Sequence, residues 1–80
     1  MDSLLDMVWV KPLDGYHISV EFEDGTAGEF DMTPYLDKGV FKSLRDKTVF
    51  DRVRVEYGTA VWPGGVDIAP ETVYDAVRAA

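Results

Sequence analysis

Two Asp-Gly pairs enclose a strictly alternating run, and this arrangement limits the chain more than any other feature. "LDGY" (13–16) and "EDGT" (23–26) flank YHISVEFE. Asp-Gly supplies the positive φ angles of a tight hairpin turn. Between the turns, Ile18, Val20 and Phe22 alternate with His17, Ser19, Glu21 and Glu23. A period of two puts the apolar set on one face of a strand and the polar set on the other. The spacing predicts a three-strand antiparallel meander over about 7–13, 16–23 and 26–32, with one face buried and one in water.

Helical signals come next. In "MTPYL" (32–36), Thr33 is placed to accept bonds from free helix amides, and Pro34 suits the first helical position. Gly39 interrupts. VFKSLRD (40–46) then continues helically, with Val40, Phe41 and Leu44 as its apolar side. Phe50 is expected to plug the core. VRVEYGTAVW (53–62) reads as a second hairpin around Tyr57-Gly58, with Val53 and Val55 inward and Arg52, Arg54 and Glu56 outward. PETVYDAVRAA is a short closing helix. Pro70 lies in its first turn, Glu71 at its positive end, and Val73 and Val77 form its apolar stripe. The expected fold is one α+β domain over residues 1–80. It has about five strands in an antiparallel meander, in the order β-β-β-α-β-β-α, with short helices packed on one face.

The stretch WPGGVDIAPETVYDAV (62–77) carries the densest punctuation. Pro63 has no amide to donate and ends strand pairing. Gly64 and Gly65 permit a sharp reversal. Asp67 is placed to accept amides in the turn or near the helix start. On this reading the chain leaves the sheet at Trp62 and enters the helix at Pro70. The same joint could instead carry a ligand or partner loop, making Trp62, Pro63, Asp67, Glu71 and Tyr74 candidate interaction residues. Trp9 is a further candidate. It alternates with Val8 and Val10, so if those two join the core it lies on the outer face. There it serves as an interface anchor or is covered by the chain's own termini.

Charge narrows the function classes. The net charge is −7, which disfavours nucleic acid as the main partner, because binding there depends on neutralising phosphates. The charge is uneven. Residues 1–37 hold nine acidic side chains and only Lys11 as a base, whereas residues 38–54 hold Lys38, Lys42, Arg45, Lys47, Arg52 and Arg54 against Asp46 and Asp51. There are no cysteines, so disulfides and thiolate metal sites are excluded. A domain this short buries roughly 60–65% of its unfolded surface, so its stability margin is thin. No run approaches a membrane span, and the acidic start lacks the basic region of a signal peptide. The chain reads as a soluble cytoplasmic protein without redox chemistry.

Catalytic constellations are sparse. His17 lies on the polar side of its strand, and Ser19 is too near in sequence for a persuasive triad. Asp67 with Glu71 is the only carboxylate pair beside a Gly-rich turn. It could hold a hard cation, but it lacks the dense ligand spacing of calcium loops. Gly64-Gly65 lacks the GxxxxGK[ST] phosphate-loop pattern. No catalytic residue, metal or cofactor is expected.

Taken in order, "ISVEFEDGTAGEFDMTPYL", "GVFKSLRD", a following Phe and "VRVEYGTAVWPGGVDIAPETVY" resemble the small bacterial family named Domain of Unknown Function 2442. The shared landmarks are Phe22, Asp24, Gly25, Phe30, Asp31, Gly39, Phe41, Leu44, Phe50, Trp62, Asp67, Ile68, Pro70, Glu71 and Tyr74, and they run from about residue 7 to 75. Ala69 departs from the Ser that the family often has as a helix cap. The resemblance implies a small α+β domain. Some members are fused to a helix-turn-helix domain, which is not expected in these residues. The neighbourhood of family genes has prompted a toxin–antitoxin suggestion. No catalytic residue carries over. The leading expectation is therefore a protein-binding module, with an antitoxin-like partner of a small basic protein as one form of it. Behind it stand a nucleic-acid accessory domain using the basic 38–54 segment and a small hydrolase on Asp67 and Glu71. Free strand edges also offer pairing to a second copy.

Overall fold

The computed structural model describes residues 6–79. The Asp-Gly turns and the alternation produce the expected meander: β1 (Met7–Leu13), β2 (His17–Phe22) and β3 (Ala27–Asp31), antiparallel in the order β1-β2-β3. Ile18, Val20 and Phe22 are fully buried, and His17, Ser19 and Glu21 lie on the opposite face. β1 departs from simple alternation. The register shifts between Met7 and Trp9, so a bulge at Val8 interrupts the period of two. Met7 is buried, whereas Val8 is 54% exposed. Of the two conditions set for an outward Trp9, the bulge removes the one on Val8. Val10, opposite Val20, does pack against the core.

The helical layer is tighter than the heptad-like spacing implied. Thr33–Tyr35 and Gly39–Arg45 are 3-10 turns, and only Lys47–Phe50 forms an α-helical turn, α1. At three residues per turn, side chains three apart share a face. Leu44 is buried and Phe41 packs beside it, while Val40 turns outward at 67% exposure. Thr33 also reverses its expected role. Its amide and hydroxyl both donate to Asp31 Oδ1, at 2.9 and 2.7 Å.

The larger correction is at the Pro-Gly-Gly joint. The chain does not leave the sheet at Trp62. β4 (Arg54–Glu56) and β5 (Thr59–Trp62) form the expected hairpin, and β6 (Val66–Ile68) then returns antiparallel to β5, with Trp62 opposite Val66. Gly64 and Gly65 have φ of 89° and 79°, which glycine adopts without steric penalty. The strands thus form two three-stranded sheets, not a five-strand meander. Val66 and Ile68 point into the core, and Asp67 points out from the middle of β6. Asp67 therefore projects from a strand face, not from the turn before the helix.

The closing helix α2 (Pro70–Ala79) inserts Val73 and Val77 into the same core. It crosses β3 at Gly28, where a Cβ on that residue would meet Val77 Cγ1 at 2.8 Å. A γ-methyl on a buried β-branched residue has little room to yield. Gly28→Ala should destabilise the fold by about 1–3 kcal/mol. Adding Val77→Ala should recover part of that loss relative to the sum of the single variants. Urea midpoints of the four proteins of this cycle check both statements.

Candidate functional site

The core is wholly apolar. Among the described residues no polar or charged side chain is buried, and no cavity opens that would enclose a small molecule. The outer face of the β1–β2–β3 sheet is the most distinctive surface. Register sets Trp9 beside Glu21 and Ala27, Lys11 beside Ser19 and Glu29, and Leu13 beside His17 and Asp31. α2 lies on the other side, since it packs on Gly28, whose partner Val20 faces the core.

Trp9 is 41% exposed on this face. Its indole Nε1 donates to Glu21 Oε1 at 2.8 Å, a cross-strand bond that tethers the ring. His17 sits between two carboxylates of β3, with Nε2 3.5 Å from Asp31 Oδ1 and Nδ1 4.0 Å from Glu29 Oε1. This gives His17 two acidic neighbours. Ser19 faces the gap between Lys11 and Glu29.

The other candidate residues do not assemble with Trp9. Trp62 is buried, and its indole Nε1 donates to the Phe50 carbonyl at 3.0 Å. Pro63 lies in the half-buried turn that follows. Asp67 is exposed on β6, and Glu71 is exposed in the first turn of α2. Tyr74 packs edge-on against Phe22, with centroids 5.0 Å apart. Its hydroxyl donates to Asp24, and the Arg78 guanidinium lies over its ring at 5.6 Å. Tyr74 thus ties α2 to the β2–β3 turn.

Sequence reasoning missed a recurring Asp-x-Thr device. In Asp24-Gly25-Thr26, Asp31-Met32-Thr33 and Asp46-Lys47-Thr48, the Asp carboxylate accepts the Thr amide at 2.9, 2.9 and 3.0 Å. This is the side-chain mimic of a turn. The spacing is visible three times in the sequence, each at an element boundary. The Thr48 hydroxyl and amide hold the Asp46 carboxyl below its ordinary value, and the Thr33 hydroxyl and amide do the same for Asp31. Asp24 is lowered first by the Tyr74 hydroxyl and then by Thr26.

A family model described as a protein of unknown function, DUF2442, matches residues 7–79. The chain belongs to the DUF2442 family. No curated protein and no solved structure matches it significantly. Within DUF2442, several landmarks acquire structural roles here. Asp24 and Tyr74 bond to each other, Phe50 accepts from Trp62, and Gly25 takes a φ of 88° in the β2–β3 turn.

The Asp24–Tyr74 contact has a defined acid response. The folded carboxyl is held below 3.8, so its contribution is fully present above the unfolded value. It disappears as pH falls through the lower folded value. Tyr74→Phe removes the largest cause of that lowering. The variant should be less stable than the wild type at neutral pH, and the gap should narrow below pH 3.8. Urea midpoints of both proteins across the acid range test this.

Proposed function

We propose that this DUF2442 domain is a protein–protein interaction module. The observation that carries the reading is a pair of tyrosines in the same unfavourable conformation. Tyr16 and Tyr57 have φ of 61° and 52°, a left-handed region that a bulky L-residue rarely occupies. Tyr16 offsets the strain. Its hydroxyl donates to the Arg45 carbonyl, and its ring packs edge-on against Phe50 at 5.2 Å. Among the described residues Tyr57 has no such partner, and it is 100% exposed. An aromatic held strained and bare at a hairpin tip, where Asn would suit the turn better, is consistent with selection for contact with something else.

Tyr57 is not isolated. The neighbouring Gly58 carbonyl accepts from Met7 N at 2.9 Å, so the tip abuts the start of β1, next to Val8 and Trp9. These three and Val40 are the large apolar residues exposed among those described. Exposed aromatics are typical anchors of protein interfaces. An antitoxin-like role is the special case in which the partner is a small basic protein.

The rival readings have less support. Three of the six bases in the 38–54 segment are paired to acids within or beside it. Arg45 pairs with Asp37, Lys47 with Asp51 at 2.9 Å, and Arg54 Nε donates to Glu56 at 2.8 Å. That weakens the field for steering phosphates. Among the described residues, no group of three His or carboxylate side chains is placed to share a metal, so Asp67 and Glu71 lend a hydrolase no support.

Tyr57→Asn separates stability from binding. Relief of left-handed strain should raise stability by up to about 1 kcal/mol, while capture of the native partner from source extract should fall. Urea titration and quantitative co-purification, with Trp9→Ser in parallel, read the two effects. Failure of the wild-type protein to retain any partner would remove the interaction reading, and undiminished capture by both variants would move the contact surface away from β1.

A further inference from the structure

We propose that the outer face of the β1–β2–β3 sheet docks an arginine-bearing extended segment of a different protein, with Trp9 as its aromatic anchor. This rests on the interaction-module reading and names the partner's chemistry.

The face is unpartnered by the chain's own α2, which packs on the opposite side at Gly28. Its charge is one-sided. Glu21, Glu29 and Asp31 stand against Lys11 alone, with His17 between the β3 carboxylates. Glu29 and Asp31 lie two apart on one strand, roughly 6.8 Å along it. Alternate side chains of an extended partner repeat at the same distance, so arginines at every second position fall in step with the two acids. Arginine suits the site better than lysine. Its planar guanidinium pairs carboxylates in a fork and also stacks on an indole face. Trp9, fixed to Glu21 through its indole N–H, offers both groups in one place.

A second copy of this chain fits poorly. A two-fold interface would bring this face onto itself, carboxylate against carboxylate. The copy's basic segment has Arg45, Lys47 and Arg54 already paired to its own acids. Strand addition at the free edge of β1 is obstructed by Pro12, which has no amide to donate. The proposed partner lies across the face, alongside Glu29 and Asp31 of β3. An anionic lipid surface is disfavoured by the same carboxylates.

The test uses the full chain and a short peptide with arginine alternating with threonine, followed by two-dimensional nitrogen–proton NMR. The two tryptophans give an internal control. Trp9 carries its indole N–H on the face, and Trp62 carries its own in the core on the Phe50 carbonyl. The expected result is a shift of the Trp9 indole signal and of amides in β2 and β3, with the Trp62 signal still. Affinity should fall about fivefold to tenfold in the Glu21→Gln/Glu29→Gln double variant, as loss of two exposed charge pairs implies. Gln keeps the acceptor for Trp9, and an unmoved Trp62 signal certifies the fold. A glutamate-for-arginine peptide should leave every signal in place.

A stationary Trp9 indole, shifts confined to the acids of α2, or equal affinity in the double variant would overturn the proposal. Its failure is distinct from failure of the module reading. A native partner retained by the double variant but lost by Tyr57→Asn would keep the module and discard the arginine face.

Discussion

The indole N–H of Trp62 donates to the carbonyl of Phe50, and the rest of the fold is arranged around this bond. A buried Trp must place its one donor, and the Phe50 carbonyl at the end of α1 accepts it alongside the Val53 amide. The Phe50 ring then lies 6.0 Å from Trp62 and 5.2 Å from Tyr16. One side chain therefore touches the β1–β2 turn, the helical layer and the second sheet. In a domain too small for redundant cores, such a junction takes the role that several layers share in a larger protein.

Around it, short Asp-Thr turns replace long helices. Asp46 caps α1 through the Thr48 amide and hydroxyl, and Asp31, one residue before the N-cap Met32, accepts from the Thr33 amide and hydroxyl. Each satisfies amides that a one- or two-turn helix cannot satisfy internally. This allows the connection from β3 to β4 to cross the core in tight 3-10 steps while Leu36, Leu44 and Phe50 are all buried.

How much of this is legible in the chain depends on the range of the cause. β2 and its two turns are legible because alternation and Asp-Gly act between neighbours. Val73 and Val77 are legible because a four-residue spacing is a helix property. β6 is not. Val66-Asp67-Ile68 is a strand of three residues, and its existence depends on pairing with β5 across the Gly-Gly turn. Alternation misplaces Val8 because a bulge is a relation between two strands. Helical spacing misplaces Val40 because 3-10 winding moves every third residue, not every fourth, onto the core side. For Trp9, alternation leaves exposure as one of two alternatives. Its acidic surroundings are hidden in the sequence, since Glu29 and Asp31 come beside His17 only through the β2–β3 register.

The two tyrosines show where packing stops explaining the backbone. Tyr16 and Tyr57 have nearly the same φ, Tyr16 at the end of the three-residue β1–β2 turn and Tyr57 at the start of the two-residue β4–β5 turn. At Tyr16 every part of the side chain has a partner: a carbonyl for the hydroxyl, and Phe50 for the ring. The strain there is a consequence of packing. At Tyr57 the same strain supports nothing within the fold, because the side chain is wholly in solvent. Stability alone would favour Asn or Gly at that position, as it would favour a polar residue in place of Trp9. Both exceptions lie beside β1, one at the hairpin tip that touches Met7 and one in the strand itself. Local rules are most often broken where a surface serves something other than folding. In this domain the two exposed aromatics meet at one strand, Trp9 within β1 and Tyr57 beside its start. That is the reason for locating the proposed contact surface there and not at the Pro-Gly-Gly joint, where Gly64 and Gly65 serve the turn into β6.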